Sequence, residues 1–137
     1  MNKWNIFKVS SGGKAGVFRV PEAKPEEWDT LPLSEEISIS WNYEGTMPDK
    51  STQAEMDRFE EALSEVLFGE SSKLALVMTV GGLREWCVYA KDYGVFMQQL
   101  NALLDGHPRY PISIVHSHDP KWRYWHSFAD RLNQQSS

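Results

Sequence analysis

Apolar and polar positions alternate along this chain with two different periods, and the switches between them mark out the elements. "WNIFKVSSGGKAGVFRV" holds two β-favouring runs, Trp4–Val9 and Ala15–Val20, around Ser-Ser-Gly-Gly. Glycine there permits the positive φ of a tight turn, so the segment predicts an N-terminal hairpin over residues 1–20. "EISISWNY" sets Ile37, Ile39, Trp41 and Tyr43 on one side and Ser38, Ser40 and Asn42 on the other, the period-two pattern of a strand. In "STQAEMDRFEEALSEVLFG" the period changes to that of a helix. Met56, Phe59, Leu63, Val66 and Leu67 make its apolar stripe, Thr52 and Glu55 suggest a capping box, and Gly69 a stop.

A second hairpin is expected to turn at Gly81-Gly82. Its first arm, Leu74–Val80, is almost wholly apolar, as in a strand covered on both faces. The second arm alternates Trp86, Val88 and Ala90 with Glu85, Cys87 and Tyr89. Next come a helix turning Phe96, Leu100, Leu103 and Leu104 inward and ending at Gly106, and a strand in "RYPISIVHSHD". A closing helix over 119–133 would carry Pro120 in its first turn. Residues 21–35, with three prolines and many acids, read as an irregular connection. These elements predict one α+β domain over 1–137, with a ferredoxin-like βαββαβ core at 36–118 between the N-terminal hairpin and the C-terminal helix.

Charge changes the picture through its distribution. Residues 21–70 carry fourteen Asp/Glu against three Lys/Arg, a balance of −11, while the rest carries five acids against eleven bases, a balance of +6. Asp57, Glu61 and Glu65 recur every four residues opposite the apolar stripe, where like charges repel by a few tenths of a kcal/mol per pair. A general nucleic-acid binder needs a dominant basic footprint, so this balance argues against one and suits a cationic protein partner. Seventeen aromatic residues (six Trp, five Tyr, six Phe) supply more anchors than a minimal core needs. No run approaches the roughly 18 apolar residues of a membrane span, and no signal peptide is recognisable, so the expected location is the cytoplasm.

Candidate chemistry is sparse. His116 and His118 lie two apart on a strand, hence on one side of it, and with Asp119 could supply part of a metal site. No further ligand is marked by spacing. The single cysteine, Cys87, rules out an internal disulfide and reads as a small buried hydrophobe inside a strand. "SSGGK" and "VGGL" lack phosphate-loop spacing. Arg84 and Asp92 bracket a strand, either framing a site or pairing at its end against the last helix. No catalytic constellation emerges and no cofactor is expected.

"VGGLREWCVYAKD", the helix containing "LNALL", and "YPISIVHSHDPKWRYWHSF" together resemble the bacterial family of domain of unknown function 695. The matching residues are Gly82, Arg84, Trp86, Tyr89, Asp92, Asp119, Pro120, Trp122 and Trp125, and Trp4, Trp41, Tyr43 and "GTMPD" look similar too. The resemblance covers most of the chain and implies no activity. Its pattern includes neither Cys87 nor the two strand histidines. It implies an architectural closing segment, with Asp119 as helix N-cap, Pro120 at the first helical position and Trp122 and Trp125 as anchors.

Two functions follow as expectations. The first is a non-catalytic interaction domain, in its concrete form an immunity or inhibitor protein that meets a basic toxin or enzyme through Asp57, Glu61 and Glu65. The alternative is a small metal-dependent hydrolase using His116, His118 and Asp119.

Overall fold

The computed structural model describes residues 4–11, 14–21, 33–69 and 71–128. Strands β1 (Trp4–Ser11), β2 (Lys14–Pro21), β3 (Glu35–Asn42), β4 (Ser72–Val80), β5 (Leu83–Ala90) and β6 (Ile112–His118) form one sheet. Their order is β1-β2-β4-β5-β3-β6, and every neighbouring pair is antiparallel. Helices α1 (Lys50–Ala62), α2 (Ser64–Leu67) and α3 (Tyr93–Leu103) lie between strands in sequence, and residues 123–128 form α4.

The periods read from the sequence explain which side chains go where. Ile37, Ile39 and Trp41 of β3 and Trp86 and Val88 of β5 share one buried cluster with Met56, Phe59, Leu63, Val66 and Leu67 of the α1–α2 stripe. Phe96 and Leu100 of α3 complete it. Trp41, Phe59, Trp86 and Tyr110 meet ring to ring at centroid separations of 5.1–6.4 Å, tilted or edge-on, which are the favourable geometries for aromatic pairs.

The opposite side of β4 and β5 is buried too. Ala75, Leu76, Cys87 and Tyr89 pack there with Val20, Leu33, Trp122 and Trp125. That two-sided burial is why the first arm of the second hairpin reads as a nearly continuous apolar run. Its turn falls at Gly81 and Gly82, with φ of 58° and 90°. Both positive values are open to glycine at no steric cost, as a tight hairpin turn requires. Between Leu74 and Leu76 the register slips, and the extra residue, Ala75, presents its carbonyl to the indole N–H of Trp125 at 3.1 Å. A bulge leaves one residue unpaired in the ladder, and here a side chain from α4 satisfies it.

Several boundaries differ from the expectation. The first strand of the core runs over Glu35–Asn42, not to Tyr43, whose N–H instead donates to the Gly82 carbonyl. The α1 cap is Asp49, whose carboxylate accepts from the Thr52 N–H at 2.8 Å; Thr52 is already helical. Asp is as good a cap as Ser or Thr, and Lys50 and Ser51 extend the helix back to it. The expected single helix is broken at Leu63, and α2 stops at Leu67, two residues short of Gly69. A Cβ at Gly69 would stand 2.5 Å from the Glu65 carbonyl, so glycine is what lets the chain turn there. The closing helix begins at residue 123, not 119, with Pro120 in the preceding turn. Residues 129–133 of the expected helix, the connection at 22–32 and the turn at 12–13 lie outside the described residues.

Candidate functional site

Three places gather the polar residues singled out by the sequence. The first is the closing segment. Asp119 accepts through one carboxylate oxygen from the Arg123 N–H (2.9 Å) and through the other from the Tyr124 N–H (3.0 Å) and the Tyr89 hydroxyl (2.7 Å). It therefore satisfies the open amides at the start of α4 and ties them to β5. Desolvation pushes its carboxyl upward, but these three donors outweigh it and hold the acid below its ordinary range.

Trp122 sits at φ 55°, a left-handed conformation rare for a bulky side chain. It is held there through the face of the indole and through its N–H. The ring stacks on Tyr89 with centroids 4.0 Å apart and planes 11° from parallel, and its N–H donates to the Leu33 carbonyl at 2.7 Å. The Asp119 N–H donates to the Ser34 carbonyl, so the entry to β3 clamps the turn from below. The Tyr89 hydroxyl in turn accepts from the Trp125 N–H at 3.3 Å.

Beside this lock lies a buried acid that the sequence reading missed. Glu36 is 5% exposed, and its carboxylate accepts from the Ser38 hydroxyl (2.5 Å) and the Cys87 thiol (3.4 Å). Burial drives its carboxyl upward; Ser38 and Cys87 pull it partly back, and Glu85 and Asp119 add repulsion. The signal was present in the strand pattern, because Glu36 and Ser38 fall on the side opposite Ile37 and Ile39. That side reads as solvent-facing only if nothing covers it. The Cys87 thiol is fully buried and pushed well above its usual value by burial and by Glu36. Such a thiol stays protonated and has no route to a substrate, which is the inert kind of cysteine. The Tyr124 hydroxyl donates to Glu85 at 2.5 Å, and burial followed by that bond raises its pKa.

The second place is a cavity of about 300 Å³ between α1 and the sheet. Arg84, from β5, is 7% exposed. Its Nε donates to the Thr79 hydroxyl at 2.8 Å and one terminal nitrogen to the Gln53 carbonyl oxygen at 2.9 Å, with the guanidinium carbon 5.9 Å from the centre of the Trp86 ring. Arg19 of β2 pairs with Glu60 of α1 at 2.8 Å. Desolvation, then the neighbouring Arg19, lower the pKa of Arg84 from its usual height. The expected end-of-strand pair between Arg84 and Asp92 does not form. Arg84 points toward α1, whereas Asp92 caps α3 by accepting from the Val95 N–H at 2.8 Å. Arg19, Gln53 and Thr79 reach this cavity from elements far apart in sequence, and no local motif marks them.

The third place is the outer surface. Asp57 and Glu61 on α1 and Glu65 on α2 are all exposed, and among the described residues none of the three takes part in a salt bridge. On β6, His116 stacks on Tyr93 (3.6 Å between centroids) and His118 lies 3.4 Å from Glu35. Both rings are exposed, and Asp119 faces Tyr89 instead of them. No group of three or more His, Cys, Asp or Glu able to hold a metal occurs among the described residues. No helix among them is long and apolar enough to cross a membrane.

No curated protein and no solved structure matches the chain. The model of one family, described as a family of unknown function (DUF695), matches residues 2–129, a span that includes β1 through α4 and with them both the Asp119 lock and the Arg84 cavity. The chain belongs to the DUF695 family.

Proposed function

We propose that the protein is a non-catalytic protein-interaction domain that offers an acidic helical surface to a basic partner. The observation that carries this reading is the row of exposed carboxylates at Asp57, Glu61 and Glu65, which the apolar stripe beneath holds in place and which no salt bridge among the described residues neutralises. Asp57 and Glu61, one turn apart on α1, repel each other at a cost to helix stability. A cationic partner would relieve that repulsion and be steered toward the surface. Cys87 is buried with its thiol pushed well above its usual value, Asp119 is bonded to Tyr89, His116 stacks on Tyr93 and His118 lies by Glu35, and none of these arrangements argues for chemistry.

In its concrete form the reading is an immunity or inhibitor protein, located in the cytoplasm, that covers a basic toxin or enzyme. Its scaffold is taken as a ferredoxin-like βαββαβ unit formed by β3 to β6 with α1 and α3. The order β4-β5-β3-β6 with antiparallel pairing throughout supports that assignment. The test uses a basic partner recovered by cross-linking to the intact protein and then purified. Replacing Asp57, Glu61 and Glu65 together by Lys should slow association by roughly tenfold or more at low salt, the range expected of electrostatic steering, while the melting temperature holds. An association rate that is unchanged, and equally insensitive to salt in both proteins, would remove the proposal.

A further inference from the structure

The cavity between α1 and the sheet has an unbalanced charge pattern, and one of its lining acids, Asp57, also belongs to the proposed partner surface. Its two arginines differ in kind. Arg19 is bonded to the Glu60 carboxylate, so those two charges cancel locally. Arg84 is more deeply buried, and its hydrogen-bonding partners, Thr79 and Gln53, are both neutral. A guanidinium taken out of water normally gains a carboxylate or phosphate, whose flat face matches its fork of donors. Here the second terminal nitrogen of Arg84 is not engaged by any carboxylate among the described residues.

Gln53 tells what stands opposite. Its carbonyl oxygen accepts from Arg84 and its amide nitrogen donates to Asp57 at 2.8 Å, so a single side chain bridges the unmatched cation and an unmatched anion. With Arg19 and Glu60 cancelled, the cavity offers one positive and one negative group across one amide. Phosphate or a dicarboxylate would meet Arg84 but also the carboxylates of Asp57 and Glu60. An isolated cation would meet Asp57 but also Arg84 and Arg19. A neutral molecule bearing both charges a few atoms apart avoids either penalty. Val17 and Val77 add an apolar lining, and the volume, about 300 Å³, is at the small end for ligand pockets.

We propose that this cavity binds a free α-amino acid with an aliphatic side chain, its carboxylate on Arg84, its ammonium toward Asp57 and its side chain over Val17 and Val77. This site shares Asp57 with the partner reading but not its test, since its occupant is a small molecule and binding is measured without a protein partner.

The test is titration calorimetry with four probes: L-leucine, N-acetyl-L-leucine, which lacks the ammonium, L-leucine amide, which lacks the carboxylate, and inorganic phosphate. Leucine should bind saturably at millimolar concentration or below, and each of the other three at least tenfold more weakly. Arg84→Gln should abolish leucine binding. Because that change alters a buried site, Asp57→Asn serves as the second variant: it lies at the exposed end and should leave the melting temperature unchanged. It should weaken leucine at least tenfold while leaving N-acetyl-leucine as it was. Absence of saturable leucine binding overturns the proposal. So does binding of phosphate or N-acetyl-leucine as tight as that of leucine, or leucine binding that survives Arg84→Gln in a folded protein.

Discussion

The two faces of the sheet are held by different physics. Toward α1 and α3, burial is continuous and mostly apolar, with Trp41, Phe59, Trp86 and Tyr110 packed ring against ring. Toward α4 there are fewer apolar groups among the described residues, and they are interleaved with hydrogen bonds: Trp122 to Leu33, Trp125 to Ala75, Tyr89 to Asp119. The first face draws on area removed from water, spread over many side chains. The second depends on a few anchored rings, each of which fails if its polar partner is lost. One face is therefore a core, and the other a fastening that closes over it.

This contrast should be visible in mutants, most strongly on the apolar face. Phe59→Ala should cost about 3–5 kcal/mol, the range for removing a large buried aromatic, read as a fall in the urea midpoint with the unfolding slope unchanged. On the fastening face, Tyr89→Phe keeps the stack under Trp122 but removes the hydroxyl shared by Asp119 and Trp125. It should cost roughly 1–3 kcal/mol, because buried partners are left unsatisfied. A loss under about 0.5 kcal/mol would mean that the hydroxyl is not fastening the helix.

Glu36→Gln should act in the opposite direction. A carboxyl raised above its unfolded value of 4.5 favours folding only while protonated. That stability is fully present below the unfolded pKa and lost as pH rises through the folded one. At pH 7 the neutral amide should therefore raise stability, and thermal melts should show the advantage shrinking as pH falls toward 4.5 and below. An advantage independent of pH would place its origin elsewhere. Smallest of all, replacing Asp57, Glu61 and Glu65 by Lys should move stability by no more than about 0.5 kcal/mol, as exposed positions do.

The same contrast explains how much could be read in advance. Periodicity identified the apolar face because Ile37, Ile39 and Trp41 alternate and the stripe Met56 to Leu67 recurs at helical spacing; each of these residues is buried as its position implies. Periodicity names a face, but it does not say what covers the other one. Glu36 and Ser38 lie opposite Ile37 and Ile39, yet Glu36 is buried, on the side of the sheet where Cys87 and Tyr89 pack against Trp122 and Trp125. Asp119 was legible as a cap, yet the extra turn through Trp122 was not, since a tryptophan at positive φ is held by contacts with Tyr89 and Leu33 from distant segments. The Arg84 cavity is hidden for the same reason. Its polar groups come from β2, α1, β4 and β5, and Arg84 itself carries no local sign that it turns toward Gln53 and away from Asp92.

The most direct test of the fastening is amide hydrogen exchange on Asp119→Ala. The prediction is local: Arg123, Tyr124 and Trp125 should lose protection by tenfold or more, while the amides of Ile39, Trp86 and Val88 on the sheet keep theirs. Unchanged protection at the start of α4 would contradict it, as would an equal loss throughout the sheet, since either result would mean that Asp119 does not hold the closing helix as a separate piece.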